Sequence, residues 1–274
     1  MLNNAADKTT TRDGYAKQYV QFEDERTRPV RDLLAAVPIA PEQAVRTAID
    51  IGCGPANSTG ILMARVPGAQ VSGLDASADM LDAARKRLPK LQFELADIAE
   101  WSARGSDAPR YDLMLANAVL QWLPDHDTLF PRLVQRLAPG GHLAIQMPDN
   151  LDEPAHTLLR EIAAEAPWAS QLAGVARTER FDARHYYALL KPLCARVDVW
   201  RTTYYHPLAG GADAVVEWFK GSAMRPFLAA LRSDDERAAF TARYREAIAH
   251  AYPALDDGVV LLPFPRLFIV ATRG

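Results

Sequence analysis

The feature that most constrains the fold of this chain is an alternation of apolar runs and helical segments that begins at Thr47. Each short apolar run ends in a turn that contains Gly or Asp, and about ten residues with helical spacing follow. Strands that are connected by helices in this way form parallel α/β sheets. The apolar runs predict five strands, at residues 47–51, 71–74, 91–95, 111–116 and 143–147. The sequence therefore predicts an α/β fold with a doubly wound, mostly parallel sheet.

Local signals place the helices between these strands. Ser77 can cap a helix that carries Leu81, Ala84 and Leu88 on one apolar face. A second helix is predicted over about residues 127–137. The residues that follow it, Pro139-Gly140-Gly141, predict a turn before the next strand.

The alternation changes after Met147, where prolines interrupt it. Helical spacing at 157–166, 214–219 and 234–251 predicts a helical cap formed by insertions, and apolar runs at 197–205 and 267–272 predict two further strands. The expected organisation has four parts: an N-terminal segment over the site (1–30), a cofactor-binding core (31–150), a helical cap or substrate region (151–195 and 206–258), and closing strands (196–205 and 259–274).

Composition narrows the functional class. The chain has 31 Lys and Arg against 34 Asp and Glu, so its net charge is −3, which argues against nucleic acid or an anionic membrane surface as the main partner. Residues 1–15 are polar, which predicts no secretory signal, and no apolar run reaches the length of a membrane span. The two cysteines, Cys53 and Cys194, form no paired motif. We expect a cytoplasmic protein, and the sequence leaves its oligomeric state open.

The most informative segment is the loop after the first strand. Gly52 and Gly54 allow a tight turn and a close approach of a ligand to the backbone. Position six of a dinucleotide fingerprint is Asn57 instead of Gly or Ala, which disfavours NAD, and no Lys follows for a nucleotide phosphate. Asp50 would repel a pyrophosphate and attract a cation such as an α-amino group or a sulfonium.

Two further carboxylates follow the next strands of the predicted sheet. Asp75 ends the second apolar run, 21 residues after Gly54, where a carboxylate can accept ribose hydroxyls. Asp97 follows the third run. The carboxyl ends of parallel strands share one edge of the sheet, so these groups predict a pocket for an adenosine-containing ligand.

The segments D-I-G-C-G-P-A (50–56), L-D-A-S (74–77), A-D-I (96–98) and Y-D-L-M-L-A-N-A (111–118) resemble the motif series of the class I S-adenosylmethionine-dependent methyltransferases. The resemblance implies a Rossmann-like fold and S-adenosylmethionine as cofactor, with S-adenosylhomocysteine as product. One departure is Ala56, where many members have a third Gly. The cofactor-binding residues expected from the loop chemistry and the resemblance are Asp50, Gly52, Gly54, Asn57, Asp75, Ala76, Met80, Asp97, Ile98, Asn117, Ala118 and Trp122.

A second resemblance is to a branch of the family that methylates a carboxylate of a small tricarboxylate, and it runs from about Tyr19 to the C-terminus. The segments that carry it are residues 22–29, 117–126, 146–150, 200–206 and 263–268. An ionised carboxylate attacks a sulfonium methyl without a general base, so no catalytic side chain is expected. Arginines and hydroxyls would bind the other carboxylates. The candidate substrate-binding residues are Tyr19, Phe22, Arg26, Arg28, Arg201, Tyr204, Tyr205, His206, Arg225 and Arg266.

Two alternatives remain open on the sequence. One is a methyltransferase for another small acceptor, such as a different carboxylate, a phenol or an amine. The other is a non-catalytic nucleotide-binding or NAD-linked module. The six histidines show no zinc-ligand spacing, so no metal is expected, and Cys53 lacks an evident base that would make it a nucleophile.

Overall fold

The computed structural model describes residues 23–40, 44–105, 107–175 and 181–274. Its seven strands are β1 (Thr47–Ile51), β2 (Gln70–Asp75), β3 (Gln92–Leu95), β4 (Tyr111–Asn117), β5 (Leu137–Pro148), β6 (Cys194–Ala209) and β7 (Val259–Arg273). The α-helices of the described residues are α1 (Glu23–Ala35), α2 (Asn57–Arg65), α3 (Ala78–Arg87), α4 (Ile98–Ser102), α5 (His126–Gln135), α6 (Pro154–Ala163), α7 (Ala169–Leu172), α8 (Ala183–Leu190), α9 (Gly211–Lys220), α10 (Arg225–Ala230) and α11 (Asp234–Ala251).

The strands form one sheet in the order β3-β2-β1-β4-β5-β7-β6. The pairs β1–β2, β2–β3, β1–β4 and β4–β5 are parallel. The order reverses between β1 and β4, and in sheets of this kind ligands bind at that switch point, outside the carboxyl ends of the strands. The predicted fold class, a mostly parallel α/β sheet flanked by helices, is confirmed.

The chain divides into two compact units. The first contains residues 1–147, 182–200 and 268–274, and the second contains residues 148–181 and 201–267. In the first unit, β1 and β4 supply the fully buried side chains of Ile51, Leu113 and Leu115. In the second, Phe240 and Tyr244 of α11 are fully buried.

Local capping explains where α3 begins. The Ser77 hydroxyl accepts a hydrogen bond from Met80 N, as the sequence predicts. Leu81 and Ala84 are buried on the inner face, while Asp82 and Arg85 form an exposed ion pair on the outer face. The helix therefore follows from its cap and its apolar spacing.

The turn predicted at Pro139-Gly140-Gly141 is wrong, because these residues lie inside β5. Gly140 has a φ of +73°, and a Cβ on Gly141 would lie 2.8 Å from Tyr111 O on the neighbouring β4. The register of β4 and β5 shifts between Tyr111 and Leu113. The two glycines thus serve an irregularity in a continuous strand, which local sequence does not distinguish from a turn.

The two last strands are longer than predicted. β6 spans Cys194–Ala209 instead of 197–205, and β7 spans Val259–Arg273 instead of 267–272. Pro263 and Pro265 both lie within β7. No described helix is long and apolar enough to cross a membrane.

Candidate active site

The loop between β1 and α2 has the left-handed backbone that its glycines predict. Gly52 and Gly54 have φ values of +71° and +53°, and Ala56 adopts +68° where a third glycine would be unstrained. The amides of Gly52 and Cys53 both donate to Leu74 O, at 2.8 and 2.9 Å. A Cβ on Gly52 would lie 2.3 Å from Val119 Cγ2, so only glycine fits there. The loop is therefore held between β2 and the segment after β4.

Asp50 lies at the base of this loop and is completely buried. Its Oδ2 accepts hydrogen bonds from the hydroxyls of Ser58 and Thr59, both at 2.7 Å. Its Oδ1 has no hydrogen-bond partner among the described residues. Burial raises the pKa of Asp50 to about 6, because the two hydroxyls offset only part of the desolvation. Asp50 thus anchors the start of α2 and retains one free acceptor oxygen.

Asp75, at the end of β2, bridges two backbone segments. Its Oδ2 accepts from Gly54 N at 2.9 Å, and its Oδ1 accepts from Ser77 N at 2.8 Å. Each carboxylate oxygen has a second lone pair, so the group can still accept hydroxyls. The adjacent Ala76 is exposed and Met80 is half-buried. The structure therefore gives Asp75 a role in shaping the loop that the spacing alone did not reveal.

Asp97 lies two residues beyond the end of β3, just before α4. Its Oδ1 accepts from Ala99 N at 2.8 Å and Glu100 N at 3.1 Å, which caps α4. Ile98 is buried beside it.

Residues after β4 pack against the glycine loop. Asn117 ends the strand, and its buried Oδ1 has no hydrogen-bond partner in the described part of the chain. Ala118 has a φ of +53° and donates its N–H to Gln146 O at 2.8 Å. Trp122 is 73% exposed, which excludes it as a core anchor.

A small cavity opens at the glycine loop. The residues that line it are Thr27, Val30, Gly52, Cys53, Pro55, Asn57, Ser58 and Asn117. The Oδ1 atoms of Asn57 and Asn117 are buried there without hydrogen-bond partners from the described residues. Unsatisfied acceptors fit a cationic donor such as an α-ammonium group and disfavour a phosphate. The chemistry of the cavity therefore fits the amino-acid end of S-adenosylmethionine.

The predicted set left out five residues of this cavity: Cys53, Pro55 and Ser58 in or just after the glycine loop, and Thr27 and Val30 of α1. Thr27 and Val30 are both buried. Of the predicted residues nearby, Arg28 lies on the exposed face of α1, with its Nε 3.9 Å from Asp32 Oδ2. Tyr19, Phe22 and the side chain of Arg26 lie outside the described residues.

The other predicted substrate residues lie in the second unit. Arg201 donates from Nε to Asp149 Oδ2 at 2.7 Å, and its Nη2 is 3.5 Å from Glu153 Oε1. Its charge is thus already matched by two carboxylates. Tyr204 is buried and Tyr205 is 62% exposed, as the alternation of a strand requires. Arg225 is the first residue of α10.

An aromatic cluster in the second unit holds two of the predicted residues together. His206 stacks on Trp218 with ring centroids 5.0 Å apart, and it contacts Phe264 at 5.4 Å. The guanidinium carbon of Arg266 lies 4.9 Å from the centroid of Phe264. His206 and Arg266 are both buried. Phe264 therefore lies in contact with both side chains and fixes their positions.

The structure also bears on Cys53 as a nucleophile and on metal binding, neither of which the sequence predicts. Burial raises the pKa of the Cys53 thiol far above its usual range, and the nearby carboxylates of Asp50 and Asp75 act in the same direction. That environment suppresses the thiolate a nucleophile would need. In the described residues, no three His, Cys, Asp or Glu side chains are grouped as metal ligands.

Comparison with known proteins assigns the family. A family model described as a methyltransferase domain matches residues 49–143, the segment that carries β1 to β5 and the glycine loop. A trans-aconitate 2-methyltransferase from Rhizobium meliloti is 54% identical over 261 residues, which covers 94% of this chain and 98% of that protein. The chain belongs to the trans-aconitate 2-methyltransferase family.

Other relatives agree with this assignment. The trans-aconitate 2-methyltransferases of Methylobacterium nodulans and Paracidovorax citrulli are 53% and 51% identical, and the matches cover 97% and 96% of those proteins.

Two solved structures are similar to this chain in fold. A putative methyltransferase from Bacillus halodurans gives a TM-score of 0.55 at 11% identity over 89% of this chain and 97% of that one. The YcgJ protein of Bacillus subtilis gives a TM-score of 0.54 at 11% identity with the same coverage.

Proposed function

We propose that this chain transfers a methyl group from S-adenosylmethionine to one carboxylate of trans-aconitate, giving a monomethyl ester and S-adenosylhomocysteine. The observation that carries the proposal is the 54% identity to a relative of that name across 98% of its length. The acceptor-lined cavity at the glycine loop supports the cofactor half of the proposal independently.

The residues of the first unit would bind the cofactor, which supplies an electrophilic methyl group on a sulfonium. The free oxygens of Asn57 and Asn117 accept hydrogen bonds from the ammonium group, and Asp50 contributes negative charge beneath them. Asp75 accepts the ribose hydroxyls, while Ile98 offers an apolar contact to the adenine. The other predicted residues would also contact the cofactor: Gly52, Gly54, Ala76, Met80, Asp97, Ala118 and Trp122.

No general base is needed for this reaction. A carboxylic acid with a pKa of about 4 is ionised at neutral pH and already carries the nucleophilic electron pair. The protein contributes by aligning the carboxylate with the methyl group and by removing water from it. The high pKa of the Cys53 thiol agrees with a site in which no side chain acts as the nucleophile.

The acceptor would be bound by cationic and hydroxyl groups of the second unit. Arg266 and His206 are the strongest candidates, because both are buried and both rest on Phe264. A planar guanidinium binds a carboxylate through two parallel hydrogen bonds. Tyr204, Tyr205, Arg201 and Arg225 complete the proposed set from this unit. Tyr19, Phe22, Arg26 and Arg28 complete it from the N-terminal segment.

The N-terminal segment would cover the cofactor site. Thr27 and Val30 of α1 already line the cavity at the glycine loop, which supports this placement. We also propose a cytoplasmic enzyme without a nucleic-acid or membrane partner. Both cysteines are free in the structure, which suits a reducing compartment.

The proposal is tested by transfer of label from methyl-tritiated S-adenosylmethionine to trans-aconitate, cis-aconitate, citrate, a phenol and an amine. We expect the strongest labelling on trans-aconitate, with label that is released by mild base because the product is an ester. Base-stable label on the phenol or the amine would show that the methyl acceptor is that compound and not trans-aconitate. Bound cofactor with no transfer to any compound would refute the acceptor assignment.

A further inference from the structure

The turn between β4 and α5 is strained at both ends. Ala118 has a φ of +53° and Asp125 has a φ of +55°, although neither residue is glycine. Side chains disfavour this left-handed backbone, so the surrounding contacts must hold it. Between these two residues lies a single 3₁₀ turn, Leu120–Trp122, in which Trp122 N donates to Val119 O at 3.1 Å and Leu123 N donates to Leu120 O at 3.0 Å.

The same turn sets the position of the glycine loop. Val119 fills the space beside Gly52, where a Cβ would lie 2.3 Å from Val119 Cγ2. Gln121 Nε2 donates to Ala118 O at 2.7 Å, next to Asn117 in the cavity wall. A displacement of the turn would therefore move both walls of the cofactor cavity.

His126 fastens this turn from the following helix. Its Nε2 is 2.9 Å from Leu120 O, which also accepts from Leu123 N at 3.0 Å. The ring is buried and packs against Phe130, with centroids 5.0 Å apart. The bond spans six residues and joins the first residue of the 3₁₀ turn to the first residue of α5.

Tyr186 of α8 fixes the ring that makes this bond. Its hydroxyl is 2.7 Å from His126 Nδ1, and the tyrosine is fully buried. A carbonyl oxygen only accepts, so His126 Nε2 carries the hydrogen. When the hydrogen is on Nε2, Nδ1 is free to accept a hydrogen bond from the Tyr186 hydroxyl. The Tyr186 hydroxyl thus holds the orientation of the ring that donates to Leu120 O.

We propose that His126 is a positioning residue for the cofactor site and that Tyr186 holds its ring in the required orientation. Through Leu120 O, the pair keeps the strained turn against Gly52 and so sets the affinity for the cofactor. This inference rests on the cofactor half of the proposed function and is independent of the acceptor.

The test compares four variants with the unmodified chain by calorimetric titration with S-adenosylhomocysteine and by steady-state kinetics, and the fourth, Tyr186→Phe, removes the hydroxyl that contacts His126. His126→Leu removes both hydrogen bonds. His126→Gln keeps an amide donor for Leu120 O and an oxygen that can accept from Tyr186. Phe130→Leu is the matched control, because Phe130 packs on the same ring and has no polar group to offer the turn.

We expect His126→Leu to raise the Kd for S-adenosylhomocysteine and the KM for S-adenosylmethionine at least tenfold. Its KM for trans-aconitate and its kcat at saturating cofactor should stay within about threefold. His126→Gln should recover most of the affinity, and Tyr186→Phe should lie between the two. Phe130→Leu should lower thermal stability and leave the Kd within about twofold.

An unchanged Kd in His126→Leu would overturn the inference. Equal losses of affinity for S-adenosylhomocysteine in His126→Leu, His126→Gln and Phe130→Leu would also overturn it. Such losses would show that the variants act only by lowering the stability of the chain. Binding of S-adenosylhomocysteine by the unmodified chain without methylation of trans-aconitate would instead refute the acceptor proposal, and the affinities of the variants would still decide this one.

Discussion

The carboxylate of Asp75 accepts a hydrogen bond from the backbone N–H of Gly54 at 2.9 Å, across 21 residues of sequence. One side chain thus holds the glycine loop and is also the group that we propose for the ribose hydroxyls of the cofactor. Asp75→Ala should weaken cofactor binding by about 1–3 kcal/mol, because buried partners lose their acceptor. Calorimetry with S-adenosylhomocysteine measures this, and Asp82→Ala, an exposed change on α3, is the control. If Asp75→Ala and Asp82→Ala bind S-adenosylhomocysteine with equal affinity, Asp75 does not contribute to cofactor binding.

Asp50 should make the stability of the chain depend on pH. Burial raises its pKa from 3.8 to about 6, so the folded chain binds this proton more tightly than the unfolded chain. The contribution of Asp50 to the free energy of unfolding therefore falls as the pH rises from about 4 to about 6, by roughly 3 kcal/mol. Asp50→Asn keeps an acceptor for Ser58 and Thr59 but does not titrate.

Urea unfolding at several pH values between 4 and 7 tests this contribution. The stability of Asp50→Asn relative to the unmodified chain should increase with pH and level off above about pH 6. A difference that stays constant over this range would show that Asp50 titrates normally in the folded chain.

Arg266 should contribute more to acceptor binding than Arg201. Asp149 and Glu153 already match the charge of Arg201, whereas Arg266 is buried against Phe264. Arg266→Ala should raise the KM for trans-aconitate by about 10- to 100-fold, the range for a lost charged hydrogen bond, and leave the Kd for S-adenosylhomocysteine unchanged. Arg201→Ala should change this KM less than fivefold. If steady-state kinetics show a larger rise in this KM for Arg201→Ala than for Arg266→Ala, Arg201 is the main acceptor-binding arginine of the two.

Cys53 and Cys194 should resist alkylation in the folded protein. Burial raises the pKa of both thiols, so little thiolate is present at pH 8. Mass spectrometry after iodoacetamide treatment should find both unmodified, and the same treatment in guanidinium chloride should modify both. Rapid modification of native Cys53 together with loss of activity would show that the thiol is reactive.

Local signals were sufficient to predict the cofactor half of the fold. The apolar run before Gly52, the acidic end of β2 and the cap at Ser77 each act over a few residues, so spacing alone revealed them. The same holds for α11, which was predicted at 234–251 and observed at Asp234–Ala251. Its Ser233–Glu236 capping box explains the sharp start.

The remaining features depend on partners distant in the sequence. Gly140 and Gly141 are typical of a turn in the sequence, and only their position beside β4 shows that they lie within a strand. Thr27 lines the cavity because α1 packs there. The link from Tyr186 through His126 to Leu120 joins segments 60 and 6 residues apart. Such contacts are set by tertiary packing, which a single sequence does not display.

The order of strands in the sheet also makes β5 and β6 depend on a strand that follows both of them in the sequence. β7 lies between β5 and β6, although it comes after both along the chain. Without residues 259–273, β6 would lose the strand that lies beside it in the described sheet, and β5 would present an open edge. A chain that lacks β7 would thus expose both edges to pairing with other chains, which favours aggregation.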